Sequence, residues 1–157
     1  MTQLFFGVRT RNLTEPAREG RPARVTTHEF ISIRVHDQDT GEIKDLRPRY
    51  DEMNYSPTGF EWGYSGSGPH QLAYAILRER MLARKEDFGK EKARLLMYDY
   101  TREVIAELPK ERFELTEGQI DTWLAGQQAI RTVVENAIRP KSDPVPSERV
   151  KTRTLRT

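Results

Sequence analysis

The chain has 157 residues, 36% of them hydrophobic and 32% charged, which suits one domain of ordinary size with polar, exposed tails. There is no cysteine, excluding a disulfide framework and thiolate chemistry and favouring a cytoplasmic setting. The net charge of +2 is unevenly spread: residues 139–157 carry six Lys/Arg against two acids, leaving 20 basic and 22 acidic residues elsewhere. Such a body neither mimics DNA nor tracks a phosphate backbone.

No basic segment followed by an apolar core opens the chain, so no secretory signal is expected. No apolar run approaches the roughly 18 residues of a membrane span.

Gln3 to Thr10 reads as a first strand through Leu4, Phe5, Phe6 and Val8. Residues 14–24 hold two prolines, a glycine and no large apolar side chain, and read as a loop. Val25 to His36 is the best strand. The turn residues Asp37-Gln38-Asp39-Thr40-Gly41 lead into a returning strand at Ile43–Leu46, completing a hairpin.

Ser56 to Ala73, SPTGFEWGYSGSGPHQLA, is the most distinctive stretch. Ser56-Pro57-Thr58-Gly59 is a turn, with Pro57 presetting φ at its second position. Phe60, Trp62 and Tyr64 alternate with Glu61 and Gly63, the period of a strand that can join the sheet. Ser65-Gly66-Ser67-Gly68 follows as a loop, and Pro69 fits the first position of a helix capped by Ser67 or Gly68. The free amides of that helix would then belong to His70, Gln71 and Leu72.

That helix is expected over Pro69–Arg84, with Leu72, Ala73, Ile76, Leu77 and Met81 on its apolar face and Arg78, Glu79, Arg80 and Lys85 in water. A second helix is expected over Lys90–Leu108, stopped by Pro109. Phe113-Glu114-Leu115 reads as a short extended link. Thr116-Glu117-Gly118-Gln119 has capping-box spacing and opens a third helix, in which Gly126 marks a kink or a break. The apolar run Ile130–Ile138 serves the core or self-association, giving a possible homo-oligomer. The fold class expected is α+β: a small antiparallel N-terminal sheet packed on three or four helices, as one domain over 1–138. Residues 139–157 are read as a disordered basic tail.

A glycine-rich turn feeding a helix N-terminus favours anions through unpaired N–H groups and the helix dipole. The candidate ligand-binding set is therefore Trp62, Gly63, Tyr64, Ser65, Gly66, Ser67, Gly68, His70 and Gln71, facing a phosphate-bearing small molecule. The spacing matches neither G-x-x-x-x-G-K-[ST] nor G-x-G-x-x-G. The competing reading is purely structural, with glycine and proline shaping a tight connection and Trp62 and Tyr64 filling the core.

Glu61 is a candidate for an ion pair with Arg47 or Arg49, or for acid/base work with His70 in a small enzyme. A nucleic-acid reading rests on Arg139, Lys141, Arg149, Lys151, Arg153 and Arg156 in the tail. Three scattered histidines and no cysteine make no metal site, and no cofactor is expected.

The central run resembles the signature of a family of small uncharacterised proteins in bacterial and phage genomes, a domain of unknown function. Leu108-Pro109, Phe113, Leu115-Thr116, Ile120 and Trp123-Leu124 extend the likeness, which covers roughly residues 43–125. Ser65 stands where glycine is usual and His70 where a small residue is usual. The resemblance implies an accessory or counter-defence role on a phage or mobile element, and the function expected is a non-enzymatic binding protein that engages a host protein or a phosphate-bearing small ligand.

Overall fold

Four strands make one sheet. The computed structural model describes residues 2–13, 19–21 and 27–140. Strands β1 (Gln3–Leu13), β2 (Thr27–Asp37), β3 (Ile43–Asp45) and β4 (Arg112–Thr116) lie in the order β3-β2-β1-β4, every pair antiparallel. Helices α1 (Ser67–Ala83), α2 (Gly89–Glu103), α3 (Glu117–Gly126) and α4 (Gln128–Ile138) follow, with a 3-10 turn at Ile105–Glu107. The fold is α+β, as the sequence predicts.

The fourth strand is the surprise. The sequence assigns residues 60–64 to the sheet, but the chain there is irregular, and the short link at Phe113–Leu115 pairs with β1 instead. The reason lies at Gly63. Its φ of +85° reverses the chain, so Phe60 and Trp62 turn inward while Tyr64 turns out to solvent.

Alternation along the strands points Phe5, Ile33, Val35, Phe113 and Leu115 toward the helices. Gly7, opposite both Ile33 and Phe113, leaves room for the Phe113 ring, which a Cβ would meet at 2.3 Å. Helix α1 runs through the middle of the core, with Leu72, Ile76, Leu77 and Met81 fully enclosed against Leu96, Met97, Ile120 and Leu124.

Two charged residues expected in water are buried on α1. Glu79 accepts from Lys44 of β3 at 2.6 Å and from Arg49 at 2.7 Å. Arg80 donates to Asp121 of α3 at 2.6 Å and pairs with Glu117 at 3.0 Å. Each is buried because it meets opposite charges from neighbouring elements, which the pattern of one helix cannot reveal.

Helix α2 stops at Glu103 rather than Leu108; the 3-10 turn drops Ile105 into the core. The capping box at Thr116 and Gln119 forms, and Gln127 separates α3 from α4 just after Gly126. The expected loop falls largely on residues outside those described, as does the tail from Lys141. No helix among the described residues is long and apolar enough to cross a membrane.

Candidate functional site

Between β3 and α1 the chain lacks regular structure, and neighbours take up its polar groups. Gln71, buried on α1, is the clamp. Its Oε1 accepts from the amides of Tyr55 (2.7 Å) and Ser56 (3.2 Å), and its Nε2 donates to the carbonyls of Pro48 (2.6 Å) and Met53 (2.8 Å). Two lone pairs and two hydrogens are then all used.

Trp62 is fully enclosed, and its indole N–H donates to the Pro109 carbonyl at 2.8 Å. The ring meets Phe113 edge-on at 5.1 Å, and the Arg9 guanidinium stands 4.6 Å from its centroid. Arg9 also donates to Glu61 at 2.6 Å. The expected partners of Glu61 are engaged elsewhere, Arg49 by Glu79 and Arg47 by Asp51.

The helix begins earlier than the sequence suggests. Ser67 is its first residue, Gly66 is the cap without a side chain, and the His70 amide donates to Gly66 O at 2.9 Å. His70, Gln71 and Leu72 therefore lie inside the helix. The Gly63 amide is taken by Ile105 O at 3.0 Å. Pro69 has no donor. At the helix start the amides of Gly66, Ser67 and Gly68 have no bond to a described residue.

Gly68 is buried against Glu61, whose Cβ would lie 2.7 Å from an added Cβ, and the Tyr64 ring covers Gly66. Burial, then the Glu61 charge, pushes the Tyr64 phenol above its ordinary pKa. Ser65 and Ser67 are exposed. None of the four principal clefts among the described residues is lined by residues 62–71.

His70 faces away from Glu61's ion pair, packed edge-on against Tyr98 at 4.8 Å and Tyr55 at 6.2 Å. Burial holds its pKa below the ordinary imidazole value. Burial, with the neighbouring Tyr98 hydroxyl, pushes the Tyr55 phenol up to about 12. No hydrogen bond joins Glu61 to His70, and no group of three metal-ligating side chains occurs among the described residues. Of the six tail cations only Arg139 is described, exposed at the end of α4. Ile130, Val133 and Ile138 of α4 are exposed, while Val134 turns into the core.

Among the described residues, one open part of the sheet is the edge of β2. Eleven residues of β2 pair with β1, but β3 covers only Arg34–His36, extended by Leu46 N–H donating to Ile33 O at 2.9 Å. Asp37 N–H, on the same side, reaches Glu42 O at 2.9 Å. Odd-numbered residues of β2 thus direct their backbone toward β3. The N–H and C=O of Glu29 and Ile31 and the N–H of Ile33 point to that side with no bond to a described residue.

A cleft of about 650 Å³ runs along this edge, walled by residues 29–34 of β2 and by Leu46, Pro48, Phe60 and Glu61 across from it. The sequence carries a signal for it. A returning run of four residues cannot cover a partner of twelve, so a long hairpin arm is left single.

A second cleft, of about 720 Å³, lies between the end of α2, β4 and the start of α3. Tyr100, Val104, Leu115 and Trp123 supply its apolar wall. The sequence places Tyr100 on the apolar face of its helix without indicating that the phenol tip lacks a partner.

No curated protein and no solved structure matches the chain. Residues 25–126 match a family of unknown function, DUF6166, a span running from the approach to β2 to the end of α3 and including both clefts. The chain belongs to that family.

Proposed function

We propose that the protein is a non-enzymatic accessory factor of a phage or mobile element, acting in counter-defence by binding a host protein. It does so by accepting an extended segment of that partner along the open edge of β2. The observation that supports this reading is the row of five backbone groups at Glu29, Ile31 and Ile33 with no bond to a described residue, beside a cleft of about 650 Å³.

Strand addition draws affinity from main-chain hydrogen bonds and specificity from alternate side chains. Phe30, Ile31, Leu46 and Phe60 offer apolar surface, and Glu29, Asp45 and Glu61 outnumber Arg34 among the charges. Arg9 already pairs with Glu29 and Glu61 and Arg34 with Asp45, so apolar residues in alternation suit such a wall best.

The test uses Ile31→Pro, which deletes an outward N–H while leaving the β1 side of the strand paired. Tagged wild type and variant are expressed in the host. In the complex isolated with wild type, amide exchange at Glu29, Ile31 and Ile33 slows, and Ile31→Pro, folded by circular dichroism, recovers no partner. Equal recovery by the variant, or unprotected amides in the complex, overturns the proposal.

A second reading keeps a phosphate-bearing ligand at Ser65–Gly68, favoured by an α1 start that leaves the Ser67 and Gly68 amides uncapped. Thermal stabilisation by inorganic phosphate or ATP, lost in Gly66→Ala/Ser67→Ala, is its expected signature. No stabilisation by either compound removes it.

A further inference from the structure

We infer that the face of the sheet turned away from the helices binds a second copy of this chain, the two sheets packing face to face about a two-fold axis. This face is separate from the cleft at the β2 edge, and the inference stands whether or not a partner strand binds there.

Odd-numbered residues of β1 and β2 point to the helices, so the even-numbered ones make the other face. Leu4, Phe6 and Val8 of β1 run down its centre. Phe30 of β2 and Ile43 of β3 flank them on one side, and Arg112, Glu114 and Thr116 of β4 lie on the other. Val8 is 41% exposed, Ile43 52% and Phe30 57%, and none of the five apolar residues belongs to the core. An apolar centre within a polar rim is the usual build of an interface between proteins.

The charges on this face say what covers it. Arg112 and Glu114 stand two residues apart on β4, both exposed, and neither side chain has an ion pair or hydrogen bond among the described residues. A free cation beside a free anion is complementary to itself when one copy is turned over onto another. Helix α4 offers no such code. Beside its exposed Ile130 and Val133, Arg131 is taken by Glu86 and Glu135 by Lys92 within the chain.

The register fixes the axis. Gly7 lies opposite Ile33 on β2 and Phe113 on β4. A two-fold axis crossing the strands at that level sets Arg112 of each copy against the partner's Glu114, and Phe6 against the partner's Val8. Arg34, already paired with Asp45 at 3.4 Å, then meets only the partner's uncharged Ser32. An axis running along the strands between β1 and β2 would instead set Glu114 against the partner's Asp45 and Phe6 against the partner's Arg34. Like charges and a covered guanidinium disfavour it. Packed sheets lie about 10 Å apart with strand directions within about 30°, a gap that facing Arg and Glu side chains cross.

From Leu4 to Thr10 the four strands give a footprint of at most about 400 Å² per copy, from a spacing of about 4.8 Å and a rise of about 3.4 Å per residue. A standard complex buries about 800 Å² per partner, so the dimer is weak and depends on concentration.

Sedimentation velocity of the full-length protein, from about 10 µM to about 1 mM, covers the range in which so small an interface assembles. Wild type is expected to pass from monomer to dimer across that range. Val8→Asp, folded by circular dichroism, is expected to weaken association at least about tenfold. Arg112→Glu and Glu114→Arg each set like charges together twice in the dimer, and each is expected to weaken it at least about tenfold. Mixed in equal amounts, those two variants restore both pairs and should associate within about threefold of wild type.

A wild type that stays monomeric at millimolar concentration overturns the proposal. So does a dimer that Val8→Asp leaves intact, including one abolished by Val133→Asp on α4. A mixture of the two charge variants that associates no more tightly than either alone overturns it as well.

Discussion

The segment before α1 and the edge of β2 form opposite walls of one cleft, yet they treat their polar groups in opposite ways. In the first, Gln71 uses every donor and acceptor it has, Trp62 finds a carbonyl, and Glu61 finds Arg9. In the second, backbone donors and acceptors stand side by side without a partner among the described residues. A long and unusual motif marks the part of the chain that is hardest to hold together, because the 21 residues from 46 to 66, without regular structure, need side chains to satisfy them.

The largest test of this contrast is Trp62→Ala. Its ring is fully enclosed between Phe113 and Arg9, and truncation leaves a cavity costing about 3–5 kcal/mol. Urea denaturation measures it. A loss below about 1 kcal/mol would mean that the motif is not scaffold, and the contrast would collapse.

Gln71→Leu comes next. The apolar side chain strands two amides and two carbonyls, and with water recovering part of the loss we expect about 2–4 kcal/mol. Exchange of the Tyr55 and Ser56 amides should quicken well before global unfolding, since these are the bonds removed. Gly68→Ala asks for less, about 1–3 kcal/mol, because its methyl group would press on Glu61 at 2.7 Å and that side chain is held by Arg9. Glu61→Gly in the same background removes the clashing Cβ and Cγ and should recover part of that loss. A double mutant as weak as the single would locate the strain elsewhere.

Much of the architecture is readable because it is local. The hairpin turn, the capping box at Thr116 and the break after Gly126 each depend on residues within a few positions of one another. What the sequence hides is set by distant partners. The strand at Arg112–Thr116 exists because β1 pairs with it, and Glu79 and Arg80 are buried because Lys44, Arg49 and Asp121 meet them. The candidate binding loop depends on distant partners in the same way. Composition identifies a glycine-rich start to a helix, but whether its amides are free depends on Ile105 and Glu61 folding back onto it.

The smallest effect separates the polar networks by pH. Burial depresses the His70 pKa, so between the folded value and the ordinary value of about 6.5 the unfolded chain binds the proton that the folded chain resists. Stability is therefore full above that range and falls as pH drops through it. One proton allows at most about 1.4 kcal/mol per pH unit, and partial exposure of the ring keeps the effect below that ceiling. Asp121 and Glu79 behave differently. Hydrogen bonds from Arg80 hold Asp121 below the carboxylate range, and those from Lys44 and Arg49 outweigh burial at Glu79. Their contribution persists through neutral pH and is lost only as pH falls below the ordinary carboxylate values. His70→Gln should flatten the first decline in melting temperature and leave the second untouched. If both declines survive that substitution unchanged, the upper one belongs to another group, and the Tyr55–His70–Tyr98 cluster is as neutral to solvent pH as the rest of the scaffold.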